Sequence, residues 1–140
     1  MNAQENVAFP MQFTGTSIVE RREKSYKLLE QIGLIDCSHH RHSELSGGQQ
    51  QRIAVARSLV NNPSLILAGE PTGNLDTVSG IAVMQLLFDL HRSGRTVLVV
   101  THDPRMARFA MHKFFLLDDH VVSEDEYKSA TLDMAQAVHE

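Results

Sequence analysis

The sequence predicts an α/β fold built on parallel strands, because two short apolar runs, Leu65–Ala68 and Thr96–Val100, flank a stretch with helical periodicity. Neither run is long enough for a helix. Each is close to continuously apolar, as strands buried on both faces of a parallel sheet are. Strand, helix, strand in that order demands a crossover connection, and crossovers make parallel neighbours.

The elements follow in chain order. Residues 1–16, through Phe9-Pro10 and Gly15-Thr16, show no clear period and read as a connecting segment. From Ser17 to Ile32, Ile18, Tyr26, Leu29 and Ile32 fall on one helical face, and Gly33 marks the stop. Ser46-Gly47-Gly48-Gln49 has the Ser-x-x-Gln spacing of a capping box and opens a helix to Asn61, which Pro63 closes. A loop rich in Gly, Pro, Asn and Asp covers 69–76. Ile81, Met84, Gln85, Phe88 and Leu90 then give a helix ending near Gly94. Asp103-Pro104 places an N-cap before a proline suited to the first helical position, predicting a short helix to about Ala110. Lys113–Leu117 and Val121-Val122, divided by Asp118-Asp119-His120, predict a hairpin. The expected division is a helical portion over 1–62, a strand-bearing half over 63–123, and a loose, partly helical acidic tail over 124–140.

Composition narrows the function classes. With 13 basic and 17 acidic residues among 140, the chain carries no dense Lys/Arg stripe, and direct nucleic-acid binding is not expected. Its apolar runs fall far below the roughly 20 residues that span a bilayer, so a membrane role must pass through a partner. Met1–Pro10 has no basic segment followed by an apolar run, and nothing there reads as a secretory signal. Cys37 is the single cysteine, which excludes an intramolecular disulfide and suits a reducing cytoplasm. His39, His40 and His42 cluster in a polar stretch without a guaranteed cysteine or carboxylate companion, and no metal site is expected there. Arg52 and Arg57 suit packing or ion pairing better than catalysis.

Three motifs stand in order: Leu45-Ser46-Gly47-Gly48-Gln49, then Leu65-Ile66-Leu67-Ala68-Gly69-Glu70-Pro71, then Thr101-His102-Asp103. With these the sequence resembles the ATP-binding-cassette (ABC) ATPases over about residues 5–123. Glu70-Pro71-Thr72-Gly73-Asn74-Leu75-Asp76 looks like the branch of lipoprotein-releasing, macrolide-export and cell-division transporters, and Val60-Asn61-Asn62-Pro63 looks most like the lipoprotein-releasing subunit. The resemblance implies a partial P-loop NTPase fold, with ATP and Mg²⁺ as the cofactors of an intact domain. It implies two partners, a second ATP-binding domain and an integral membrane transporter subunit, and a cytoplasmic place at the inner face of the membrane.

Site residues carry over one by one. By resemblance, Ser46, Gly47, Gly48 and Gln49 form the signature loop, which meets the γ-phosphate of a nucleotide held by the opposite subunit. A helix start suits that role because its unpaired N–H groups and dipole favour anions. Ser46 also caps its own helix. Glu70, just past a strand end, resembles the carboxylate that polarises the attacking water, a task of positioning and electrostatics. His102 resembles the switch histidine that reaches the γ-phosphate. Asp76 resembles the acidic residue of the loop that crosses to the partner, and it equally suits an N-cap for the helix from Thr77.

Two departures qualify the resemblance. Gly69 stands where the family has a Mg²⁺-anchoring aspartate, which removes an oxygen ligand from a hard cation. No Gly-Lys dipeptide of a phosphate loop occurs among the eight glycines. The chain is therefore expected to be the second half of a cassette. The alternatives are a catalytically inactive docking module and a fragment without function.

Overall fold

The computed structural model describes residues 1–137. Helix α1 (Ala3–Ala8) begins on a reciprocal cap: the Asn2 side chain accepts from the Glu5 N–H and Glu5 accepts from the Asn2 N–H, both at 2.8 Å. Residues 1–16 are thus not the connecting segment expected. Ala3, Val7 and Met11 recur every four residues and are all buried, the last in a 3₁₀ turn over Phe9–Phe13. The Ala3 and Gln4 N–H groups donate to the carbonyls of His40 and Ser38, which ties this helix to the loop ahead of Ser46.

Helix α2 (Ile18–Gln31) is capped by Ser17 and closed by Gly33 at φ 68°. Leu29 and Ile32 are buried as expected. Ile18 is 76% exposed, because the inward face of the helix runs instead through Ser25, whose hydroxyl is satisfied by the Arg22 carbonyl. Helix α3 (Gly47–Leu59) buries Ile53, Val55, Ala56 and Leu59. Asn62, in the left-handed region at φ 53°, stops it by donating its N–H to the Leu59 carbonyl.

Strands β1 (Leu65–Gly69) and β2 (Thr96–Val100) pair in parallel, Leu65 opposite Thr96 through Gly69 opposite Val100, joined by α4 (Thr77–Arg92). Parallel pairing through a helical crossover is as expected; burial on both faces is not. Ile66, Ala68, Val97 and Val99 pack with Val83, Met84 and Leu87 of α4. Leu65, Leu67, Leu98 and Val100 lie 50%, 69%, 51% and 57% exposed. Period-two geometry puts these four on one face, and no element between Met1 and Phe109 covers it.

Such a face, with strand edges beside it, favours association with other chains. The isolated chain should therefore self-associate, visible as concentration-dependent sedimentation. The double substitution Leu67→Lys with Leu98→Lys, at residues paired in register, should return it to monomer. A monomeric parent with a sharp, concentration-independent melt would count against this.

Asp103-Pro104 opens only a 3₁₀ turn over Met106–Phe109, not the expected helix. The Met106 N–H reaches back three residues to the Asp103 carbonyl, and the Asp103 side chain is taken by Arg105. Residues Met1–Phe109 form one compact unit. Inside it, one apolar cluster joins α1, α2 and α3 around Leu29 and Ile53, and another joins α3, α4 and the strands around Ile66 and Val83. The expected division at 62/63 thus runs within a unit whose two clusters share α3.

A second unit begins at Ala110. Strands β3 (Phe115–Leu117) and β4 (His120–Val122) form the expected antiparallel hairpin, with Asp118 and Asp119 at φ 48° and 64°, the signs a tight hairpin turn requires. The tail expected to be loose and partly helical is helix α5 (Glu124–Ala137), helical over all its described residues. Ser123 and Glu126 cap it reciprocally, and Tyr127 packs on Phe115 with ring centroids 5.3 Å apart. The last three residues of that expected tail lie outside the described residues.

Candidate functional site

Two groups of side chains gather at the ends of these elements. The first lies where β1 and β2 finish side by side. Glu70 follows β1 with φ 45°, a conformation that costs a non-glycine residue on the order of 1 kcal/mol and that its surroundings must hold. Its N–H continues the ladder to the Val100 carbonyl at 2.7 Å. Its carboxylate takes three donors. Oε1 accepts from the His102 main-chain N–H at 2.9 Å and from His102 Nδ1 at 2.8 Å, and Oε2 accepts from the Thr101 hydroxyl at 3.1 Å.

A carboxylate only accepts, so Nδ1 of His102 carries a proton and Nε2 faces outward from the pair. The hydrogen bond from the His102 imidazole holds the Glu70 carboxyl below its ordinary value; desolvation opposes it, and the His102 main chain and the Thr101 hydroxyl reinforce it. The same bond and the glutamate's charge hold His102 above 6.5. The Glu70 contribution is present above its unfolded value and fades as pH falls through its lowered one. The His102 contribution is present below its unfolded value and fades as pH rises through its raised one. Attraction between the two charged groups is confined to the window between the lowered and the raised values.

The second group surrounds the start of α3. Ser46 Oγ accepts from the Gln49 N–H at 3.3 Å and Gln49 Oε1 accepts from the Ser46 N–H at 2.8 Å, the capping box read from the sequence. Gln49 Nε2 also points to Cys37 Sγ at 3.7 Å, and Gln50 Nε2 binds the carbonyls of His42 and Leu45. Ser46 and Gln49 are therefore fixed, while the N–H groups of Gly47 and Gly48 in the first helical turn have no intrahelical acceptor.

Close approach requires a glycine at 48 and leaves little room at 47. A Cβ at Gly48 would come within 2.9 Å of Ser79 Cβ and Oγ, and one at Gly47 within 3.2 Å of Leu75. Asp76 accepts from the Ser79 N–H at 3.0 Å, which is the N-cap of α4, and hydrogen bonding to Ser79 keeps its carboxyl below the ordinary value. Ser46, Gly47, Gly48 and Gln49 thus stand beside Asp76 through Leu75 and Ser79, while Glu70 and His102 form a separate pair.

At Gly69 the situation is opposite. A Cβ there would meet nothing within 4 Å, so the position has room for a side chain. Arg52 donates to the Ile32 carbonyl and Arg57 to Asn6, both structural roles. Among the described residues no group of three or more His, Cys, Asp or Glu could hold a metal ion. Sequence reasoning gave no role to Thr101, Leu75 or Ser79. The one available signal was Thr101 itself, a hydroxyl immediately before His102 at a strand end.

Comparison with known proteins converges on one family. The family model described as ABC transporter matches residues 1–73. The macrolide export ATP-binding/permease protein MacB of Hyphomonas neptunium is 44% identical over 96% of this chain and 21% of its own length. An uncharacterised ABC transporter ATP-binding protein of Thermotoga maritima is 51% identical over 76% of this chain and 45% of its own. Among solved structures, a dimeric bacterial ABC transporter cassette, MJ0796, matches at TM-score 0.75 and 44% identity, over 88% of this chain and 55% of that one. The same cassette solved as a post-hydrolysis dimer with ADP and Pi matches equally well, at TM-score 0.75. The chain therefore spans about a fifth of the MacB relative and about half of the solved cassette.

Proposed function

The chain belongs to the ABC transporter family as part of its P-loop NTPase cassette, and from that premise we propose that it supplies the hydrolytic half of an ATP site that drives export. The observation that carries this reading is the Glu70 carboxylate, oriented at the C-terminal end of β1 by donors from the end of β2. Of its roughly four lone-pair sites three are occupied, which leaves one to accept a proton from an attacking water. Its side chain is 43% exposed, so water reaches it. His102, 84% exposed with Nε2 outward, is free to swing and donate to a phosphate oxygen.

Ser46 and the N–H groups of Gly47 and Gly48 present an anion-binding helix start, and the close packing of Gly48 on Ser79 admits no side chain that would obstruct it. In this reading they meet the γ-phosphate of ATP held by a second cassette, with Asp76 on the loop facing that partner. The two dimeric structures of the MJ0796 cassette, one with ADP and Pi, support pairing with a second cassette. The donor set suits a nucleotide's phosphates better than a resident Mg²⁺, because Gly69 offers no carboxylate where a hard cation would be anchored. The names of the MacB relatives, macrolide export ATP-binding/permease proteins, support export; in this reading the cassette works at the cytoplasmic face on an integral membrane permease. Lipoprotein release rests on Val60–Pro63 alone.

Joining the chain to the N-terminal segment of the Thermotoga maritima relative tests the proposal. ATP turnover that depends on Glu70 supports it. Tight nucleotide binding with no turnover favours the second reading, an inactive docking module, for which Gly69 is the specific observation.

A further inference from the structure

The Glu70 carboxylate is held by two kinds of donor. The His102 imidazole is a long, exposed group that can rotate away from Oε1. The other two donors cannot leave so easily. One is the His102 main-chain N–H on Oε1, fixed by the end of β2; the other is the Thr101 hydroxyl on Oε2.

A hydroxyl has one proton, and its direction here is set. Thr101 Oγ1 accepts from the Asp103 N–H at 3.1 Å, so its own proton is free for the carboxylate 3.1 Å away. Asp103 is itself anchored, because Arg105 grips its two carboxylate oxygens through Nε and Nη2 at 2.8 to 3.2 Å. The turn that aims the hydroxyl is thus braced from its far side.

We propose that Thr101 is a positioning residue that, with the His102 main-chain N–H, clamps Glu70 by both carboxylate oxygens, so the imidazole can leave without the carboxylate losing its orientation. The inference rests on the reading of Glu70 as the residue that faces the attacking water, and it adds the group that keeps it aimed. Thr101 touches no reacting atom; it acts through Glu70 alone. The charged and titratable groups around the clamp are His102, Asp103 and Arg105.

The test is a ¹³C NMR titration of the Glu70 side-chain carboxyl in the full 140-residue chain, in the His102→Ala background, so that the imidazole is gone. With Thr101 present the carboxyl should still titrate below the ordinary glutamate value. Thr101→Val, which keeps the shape and removes the donor, should raise the midpoint, and Thr101→Ser should bring it back. If the valine variant does not fold, Thr101→Ala against Thr101→Ser makes the same comparison. An unchanged midpoint on loss of the hydroxyl, or a serine variant that behaves like valine, overturns the clamp. Because the readout involves no ATP, it stands apart from the functional reading: turnover indifferent to Glu70 would sink that reading and leave the titration result intact.

Discussion

Glu70→Gln in a cassette completed with an N-terminal segment is expected to lower kcat for ATP by roughly a hundredfold to a thousandfold, the cost of losing one preorganised electrostatic group. Nucleotide affinity should stay within about twofold. Glutamine keeps the volume and one carbonyl oxygen, which can still accept from the His102 main-chain N–H, and its amide can face Thr101. The fold at the strand ends therefore survives. What is lost is the negative charge and the basicity that a water proton needs. Stopped-flow phosphate release with a nucleotide titration on the same samples separates the two quantities. A kcat within about threefold of the parent would remove Glu70 from the chemistry and leave its bond to His102 as a structural strand-end tie.

Gly69→Asp should act in the opposite direction. In the chain alone it should change nothing, because few groups there could hold a nucleotide's β- and γ-phosphates. In the completed cassette with Gly69 unchanged, nucleotide binding should return more fully than turnover, since amide donors and a lysine of a phosphate loop dominate ground-state affinity. Adding the aspartate should then raise kcat by roughly a hundredfold, equivalent to about 3 kcal/mol of transition-state stabilisation, with little gain in affinity. The structure removes the steric objection: no atom lies within 4 Å of a Cβ at 69, and the residue is not in the left-handed region. Equal turnover with glycine and aspartate would show that a cassette of this kind needs no carboxylate at position 69.

The parts of the molecule legible in the sequence were those where local chemistry and tertiary structure agree. Ser46 and Gln49 are a capping box in the sequence and in space. The β1–α4–β2 crossover followed from two apolar runs and one periodic stretch, which also set Glu70 and His102 each at a strand end; that they bond to one another emerged only from the fold. The misreadings have physical causes. Helix α1 hides in a weak signal, since Ala3 is small, Asn2 is a cap only if Glu5 answers it, and Pro10 suggests a break where a 3₁₀ turn forms. The exposed face of Leu65, Leu67, Leu98 and Val100 is invisible to periodicity, because a run of apolar residues looks the same whether one face or both are covered. Tail helix α5 is more regular than the partly helical tail expected, and Tyr127 packs on Phe115, a contact no local rule contains. Gly48 was read as an opening for phosphate, and its packing on Ser79 emerged only from the fold.

If Ser46 of one cassette completes the site that Glu70 serves in another, as proposed, two inactive cassettes should restore activity when mixed. One carries Ser46→Arg, which blocks the start of α3; the other carries Glu70→Gln. In a dimer with shared sites, each mixed pair holds one site with intact Glu70 and intact Ser46, and one site with neither. An equimolar mixture should then recover about a quarter of the parent's ATP turnover, as half of randomly formed dimers are mixed and half of their sites are whole. Turnover that stays at the level of the two separate variants at every mixing ratio would rule out shared sites and place Ser46 and Glu70 in the same site of a single chain.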